Sequence, residues 1–586
     1  MRALPEYSNG LDSQPNLAEA AAHLLSPPLP WLMHRCAAYC LLFFTTGSLA
    51  PVVCLPAQTL PAHRVPNESL GERRTSARFE QARAAGALPL YALLEQMPKG
   101  SDLHMHLSGA VYAETFLKDA AEDHLCVDSA SLSFVKRARQ QAPAAGAQTC
   151  DPGQVPATSA FQNQKLYNGL IDSFSMRAFV PSSGRSGHDQ FFATFDHFAG
   201  VDRSHHGEWL DEVATRAAAQ NIQYLEIMET PTFSNAAKLG YAAGWPSAEQ
   251  GAQTDAASSI PLSTSGTSPK VLGALRDKLL AGGLRDEVAI DRAEFAAALS
   301  ERNRLEQCNT DAPAPACKVQ VRFLYQVLRA FPPQQVFAQT LLAFEVASAD
   351  PDVVGINFVQ PEDAYLSMTE YTRQMRMLVF LHTLYPAVHI ALHAGELAPG
   401  LVPPAGLRFH VRQAVELGHA ERIGHGVDVL YETDSASLLR EMAARHVMVE
   451  INLTSNNVIL GIGPNYHSLP QYLAAHVPVA LSTDDEGVSR IDLTHEYVRA
   501  ATEFHLTYLT LKRMARTSLE HVFLPGQDLW SAPDDFTTLA VPCRAQPVGS
   551  DHPERACAQF LASSPRATQQ WELERRFRHF ESEPHP

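Results

Sequence analysis

The chain is short of positive charge: 46 lysines and arginines face 63 aspartates and glutamates, a formal net charge of −17 over 586 residues. A phosphate backbone or an anionic membrane surface needs a basic footprint, so neither nucleic acid nor a membrane is its main partner. A neutral or cationic small molecule fits better. The chain also lacks any Cys-x-x-Cys, which argues against a thiolate zinc site and a redox dithiol. No fixed-period repeat runs along it, which sets aside a repeat architecture. What it has is 45% hydrophobic and 19% charged residues. That balance is globular, and the length suffices for one large catalytic domain with extensions or roughly two to four ordinary domains.

The N-terminus reads as an export signal that begins late. Residues 1–32 are polar, proline-rich and carry acids, unlike the start of a signal. From Met33 the sequence runs Met-His-Arg, then an apolar stretch over 36–54, then Leu55-Pro56-Ala57 before Gln58, a small-residue cleavage site. Translation is therefore expected to start at Met33, with 1–32 a non-native extension and 33–57 a cleaved signal peptide. The mature chain would be secreted or periplasmic and free of the membrane. An uncleaved anchor is the alternative, because the apolar stretch approaches the length of a span. Cys36, Cys40 and Cys54 would leave with the signal, and Cys126, Cys150, Cys308, Cys317, Cys543 and Cys557 remain. Six cysteines allow about fifteen pairings. Their local spacing favours the nearest-neighbour set, Cys126 with Cys150, Cys308 with Cys317 and Cys543 with Cys557; a set of buried free thiols is the other possibility.

After a helix-prone N-terminal arm at 58–97, short β-branched or apolar runs alternate with helical segments. The opening strand carries His104 and His106, and further runs cover 222–228, 319–325, 353–358, 389–393, 422–425, 447–452 and 477–483. Looser stretches near 126–163 and 234–270 read as insertions, and 531–586 as a C-terminal extension. Strands alternating with helices imply β-α-β units and a parallel sheet, and eight of them predict an α/β fold, a (β/α)8 TIM barrel over 98–530. Chemistry in such a barrel sits at the C-terminal ends of the strands. Those ends carry His104 and His106, His393 to Glu396, His425, and Asp484 with Asp485. A His-x-His pair on a strand points both imidazoles one way but is common by chance, and a single His or Asp at a strand end is usually structural. Together, three imidazoles and the Asp484 carboxylate make a nitrogen and oxygen site suited to a borderline divalent ion, most naturally one Zn2+. His389 reads as structural, His205-His206 as a solvated surface pair, and Glu226 and Glu229 as barrel electrostatics or rim.

Five motifs carry a family resemblance: Asp102-Leu103-His104-Met105-His106, His393-Ala394-Gly395-Glu396, Arg422-Ile423-Gly424-His425-Gly426, Thr454-Ser455-Asn456 and Ser482-Thr483-Asp484-Asp485. In this order, over about 95–525, the chain resembles the adenosine deaminase family of metal-dependent hydrolases, and its export signal and cysteines resemble the secreted, growth-factor-like branch. The resemblance implies His104, His106, His393 and Asp484 as zinc ligands and Glu396 as the donor that protonates the purine ring. It implies His425 as the residue that orients the attacking water and takes its proton, helped by Asp484. Asp485 would hold the imidazole nitrogen of the purine or, alternatively, orient a ligand. The implied substrate is a purine nucleoside, adenosine and 2′-deoxyadenosine, hydrolysed to inosine and deoxyinosine plus ammonia. The arm resembles the helices through which the secreted branch forms a homodimer. Nucleobase deaminases with a Pro-Cys-x-x-Cys zinc site share the reaction and not these motifs.

Departures touch the substrate side. Ser108 stands where the family often has an acid that meets the ribose, and Gln360 where it has a glycine whose backbone N–H meets the purine. Asn357 replaces an acid, Asn452-Leu453 a Cys-Pro pair and Glu486 a proline. Deamination of another 6-aminopurine, and a secreted binding or signalling protein on a deaminase scaffold, are the alternative functions.

Overall fold

Short runs buried on both faces become the strands of a parallel barrel, as hydrophobic stretches flanked by helices should. The computed structural model describes residues 68–135, 150–232, 234–246 and 266–582. The proposed extension at 1–32 and signal peptide at 33–57 lie outside the described residues, as do parts of the arm and of both insertions. The first strand, β1 (Gly100–His106), is followed in the first insertion by a small antiparallel sheet of β2 (Cys126–Asp128), β3 (Ser133–Phe134) and β4 (Gln154–Pro156). The chain then returns to the barrel with β5 (Ile222–Glu229), β6 (Gln320–Leu328), β7 (Val353–Val359), β8 (His389–Ala394), β9 (Arg422–His425), β10 (Met448–Ile451) and β11 (Val479–Leu481). These strands pair in parallel in the order β1-β5-β6-β7-β8-β9-β10-β11. Asp484 donates its amide to the His104 carbonyl (2.8 Å), and a parallel bridge joins Met105 to Asp484. The sheet thereby comes round on itself, and the expected (β/α)8 barrel is the architecture observed.

Helices such as Pro333–Ala349 and Tyr365–Leu384 bury an apolar side against the strands. Two N-terminal helices, Leu70–Ala85 and Ala87–Gln96, and the C-terminal helix Pro565–Ser582 also pack on this body. Ser69 and Glu72 form a capping box at the first of them, which satisfies amides that the helix start would leave open. Lys512 Nζ then ties Glu72 (3.0 Å) to Glu581 (2.5 Å), joining both ends of the described chain to the barrel.

All three nearest-neighbour disulfides form, Cys126–Cys150, Cys308–Cys317 and Cys543–Cys557. The last anchors a satellite core with Trp530, Leu561 and Trp571. No helix among the described residues is long and apolar enough to cross a membrane. The expectation for His205-His206 fails: both rings are buried. His205 Nε2 bonds Asp123 Oδ1 (3.0 Å) and His206 packs on Trp209 (ring centroids 4.8 Å apart). The helix His206–Ala219, with His205 at its N-cap, turns His206, Trp209, Leu210 and Val213 inward.

Candidate active site

Three imidazoles are turned the same way by three different partners. His104 Nδ1 donates to Glu450 Oε2 (2.6 Å), His106 Nδ1 to Gln326 Oε1 (2.5 Å) and His393 Nδ1 to Asn357 Oδ1 (2.9 Å). A ring whose Nδ1 carries the proton presents a bare lone pair at Nε2, which is how proteins prepare histidine for a cation. The Nε2 atoms of His106 and His393 lie 3.2 Å apart, and Asp484 Oδ1 lies 3.5 Å from His104 Nε2 and 3.3 Å from His106 Nε2. His104 Nε2 is fully buried with no hydrogen-bond partner among the described residues. These four side chains offer ligand atoms within 4.8 Å of one another. A buried convergence of lone pairs is costly unless a cation fills it, so the donor set fits a zinc-class ion. Glu450 is itself held by Arg422 Nε (2.7 Å), whose Nη2 pairs with Glu226 Oε2 (2.6 Å). The Glu226 expectation of barrel electrostatics thus describes what it does, and Glu229 pairs with Arg203 (2.9 Å) near the strand's end.

Beside this set stand Glu396 and His425, whose atoms with Asp484 also lie within 4.8 Å of each other. Strand pairing sets them there, because β8 and β9 align His393 with Gly424 and Ala394 with His425. Burial, with the nearby carboxylates of Asp484 and Glu362, pushes the Glu396 carboxyl well above the usual range, which favours its protonated form. Asn456 Nδ2 donates to His425 Nδ1 (2.8 Å), while Asn456 Oδ1 accepts from His467 Nε2 (3.0 Å). Burial lowers His425 to about 3. The neutral ring therefore keeps its proton on Nε2, which is buried without a partner among the described residues and 3.9 Å from Asp484 Oδ2. Ser455 Oγ donates to that same oxygen (2.6 Å). Burial and the neighbouring Asp484 push Asp485 up to about 8.

Asp484, His425 and Gln360 adopt φ of 62°, 70° and 85°, a left-handed region that side chains avoid. Such residues gather where surrounding structure over-determines them, commonly at functional sites. At Gln360 the glycine-like conformation is kept without the glycine, and its side chain turns back so that Oε1 accepts from Ala330 N (2.9 Å). Gly109 is required by close approach: a Cβ there would fall 1.4 Å from Asp485 Oδ1.

A cavity of about 460 Å³ opens onto these groups, lined by His106, His393, Glu396, Asp484 and Asp485 on one side. Ser108 and Gln360 line it too, and Phe191, Phe192 and Phe195 of the helix Gly187–His197 give it an aromatic wall. Among its described lining residues none is lysine or arginine. All nine expected site residues, His104, His106, His393, Asp484, Glu396, His425, Asp485, Gln360 and Ser108, are brought to one place. His389 lies elsewhere, paired with Glu421 (2.9 Å) and stacked on Phe523. Sequence reasoning missed Glu450, Gln326 and the aromatic wall. An acid inside the apolar run of β10 was the available signal for Glu450; the three phenylalanines read as ordinary core.

Residues 299–530 match the family model described as adenosine deaminase. That segment is similar to the adenosine deaminase family. An adenosine deaminase of Shewanella denitrificans is 31% identical over 141 residues, 24% of this chain and 39% of the relative. An adenine deaminase of Rhizobium leguminosarum bv. trifolii is 26% identical over 208 residues, 35% of this chain and 58% of the relative. The match spans well under two thirds of either relative. An Arabidopsis N6-mAMP deaminase structure has a TM-score of 0.46 at 19% identity, covering 74% of this chain and 95% of that one. A Burkholderia ambifaria amidohydrolase with bound Zn has a TM-score of 0.46 at 16% identity, covering 74% and 88%. The matched segment 299–530 leaves out the strand that carries His104 and His106.

Proposed function

We propose that the protein is a zinc-dependent hydrolase that deaminates adenosine and 2′-deoxyadenosine to inosine and deoxyinosine with release of ammonia. One observation carries this reading: Glu396, His425 and Asp484 converge within 4.8 Å beside the histidine set, facing the same cavity. Displacing ammonia from an aromatic amidine needs a nucleophile on one side and a proton donor on the other, and that arrangement supplies both. His104, His106, His393 and Asp484 would hold the metal, which as a Lewis acid makes water nucleophilic near neutral pH. Glu396 donates its proton to the ring nitrogen beside the reacting carbon, which readies that carbon for attack. His425 Nε2–H holds the oxygen of the incoming water, and Asp484 takes its proton. The tautomer fixed by Asn456 makes His425 an orienting donor rather than the first proton acceptor. Asp485 and the backbone of Gln360 face the base, the phenylalanine wall packs on its ring, and Ser108 stands nearest the role of a sugar contact. Three disulfides support an extracytoplasmic location.

The substrate class rests on charge. A nucleotide's phosphate is normally met by arginine or lysine, and the described cavity lining has neither. The adenine deaminases among the relatives, with serine at position 108, favour a second reading in which another 6-aminopurine is the substrate. Steady-state assays on adenosine, 2′-deoxyadenosine, adenine and AMP decide between them. The expected order has adenosine highest in kcat/KM and AMP lower by roughly 100-fold or more, the scale of one unmet charged contact. Turnover of adenine without adenosine would move the protein to the second reading.

A further inference from the structure

Glu396 is aimed by something, and the residue that aims it lies on the protein side, outside the cavity lining. Glu362 follows β7 and is 1% exposed. Its Oε1 accepts the amide of Gly395 (3.0 Å) and its Oε2 the amide of Glu396 (2.8 Å), so one carboxylate grips two consecutive peptides of the turn that carries the proton donor. His410 Nδ1 donates to the same Oε1, and Arg329 Nη2 stands 3.9 Å from Oε2. Both of these partners are fully buried. Arg329 also donates to the His393 carbonyl (3.1 Å) and twice to the Gln360 carbonyl (3.2 Å each). The His410 ring is itself fixed, stacked on Tyr371 with centroids 4.0 Å apart. On its far side the turn is closed by Asp428 and Val411, which a Cβ on Gly395 would meet at 2.5 and 2.7 Å, and Gly395 has φ of 76°.

We propose that Glu362, held by His410 and Arg329, is the positioning residue that sets Glu396 for proton donation. This rests on the reading of Glu396 as the donor. Two neutral acceptors would satisfy two amides without burying a charge, and buried charges are costly unless paired and hydrogen-bonded. A charged clamp is stiffer: charge-assisted bonds are shorter and roughly twice as strong as neutral ones. Although burial pushes Glu362 up, His410, Arg329 and the Gly395 amide bring it to about 2, so the carboxylate is ionised at every working pH. The same network touches three expected roles at once, the His393 ligand, the Gln360 contact and the Glu396 donor. Its neighbours Glu432 and Asp428 are also buried; Glu432 Oε1 accepts the amide of Val411 (2.7 Å), which seats His410.

The test uses the full zinc-loaded chain with Glu362→Gln and, separately, His410→Gln. The Glu362→Gln side chain keeps the shape but offers one oxygen where two amides need acceptors. We expect its zinc content and KM to hold within about threefold while kcat falls about 100-fold, the scale of an ångström's misplacement of a reacting group. For His410→Gln the expected fall in kcat is about 10-fold, as the clamp stays but loses the ring donor that braces it. The wild-type's best aminopurine serves as substrate. Crystal structures of wild type and Glu362→Gln give the readout that survives failure of the proposed function: the Glu396 carboxylate should shift. A kcat within twofold of wild type in either folded variant, a parallel loss of zinc and kcat, or an unmoved Glu396 would overturn the proposal. If Glu362→Gln does not fold, His410→Gln decides alone.

Discussion

Glu396→Gln should bind zinc as the wild type does, hold adenosine with a similar KM, and turn it over roughly 10²–10⁴-fold more slowly, the contribution of one positioned acid. The reason lies in what the site leaves to this residue. Protonating the ring nitrogen is the only way to make the amino-bearing carbon accept a nucleophile without generating an amide anion. Glu396 faces the cavity beside the histidine set, with a carboxyl pushed up by burial and by the carboxylates of Asp484 and Glu362. Glutamine preserves volume and can still donate a hydrogen bond, so binding should survive; it cannot transfer a proton. Metal analysis alongside kcat and KM checks this. A variant with full zinc and near-normal kcat would remove Glu396 from the chemistry, whereas loss of zinc with activity would mean that it supports the ligands instead.

His104→Ala should behave differently, losing metal and activity together. His104 is fully buried, sits between Glu450 and Asp484, and its Nε2 has no hydrogen-bond partner among the described residues. Removing even an outer partner of a ligand typically costs 10–100-fold in metal affinity, so loss of a ligand itself should exceed about 100-fold. The substitution also strands Glu450 Oε2 in the core, a penalty of about 1–3 kcal/mol, which Arg422 on Oε1 partly offsets. The chain should therefore stay folded, with a lowered Tm, and elemental analysis should find it without zinc. A folded His104→Ala protein with one zinc per chain would refute the ligand assignment.

The sequence was legible where one residue carries both position and chemistry. Strand ends follow from alternating runs, and polar residues there stand out against apolar neighbours, so His104, His106, His393, His425, Asp484 and Asp485 could be read before any geometry was known. Boundaries shifted where the run did not mark the pairing: β6 extends to Leu328 and β11 ends at Leu481. What could not be read is what orients those residues. Glu450, Gln326, Asn456, Glu362 and His410 lie far along the chain from the groups they hold, with separations of 346 residues for Glu450 and His104 and of 48 for Glu362 and His410. Only the closed barrel brings them into reach. His205 and His206 failed for a related reason, since a loop-like stretch gives no sign that the next helix will bury it. Nor does local pattern reveal a tautomer: the hydrogen bonds from Asn456 to His425 and from His467 to Asn456 appear only in the fold.

If the convergent histidines and Asp484 hold a zinc ion on which deamination of adenosine depends, as proposed, activity should follow zinc. The most direct measurement follows the fall in adenosine absorbance with chelator-stripped protein as zinc is returned. The stripped protein should show no turnover, with recovery that saturates at one zinc per chain. Full turnover without metal, or a zinc-loaded protein that leaves adenosine untouched, would contradict the proposal.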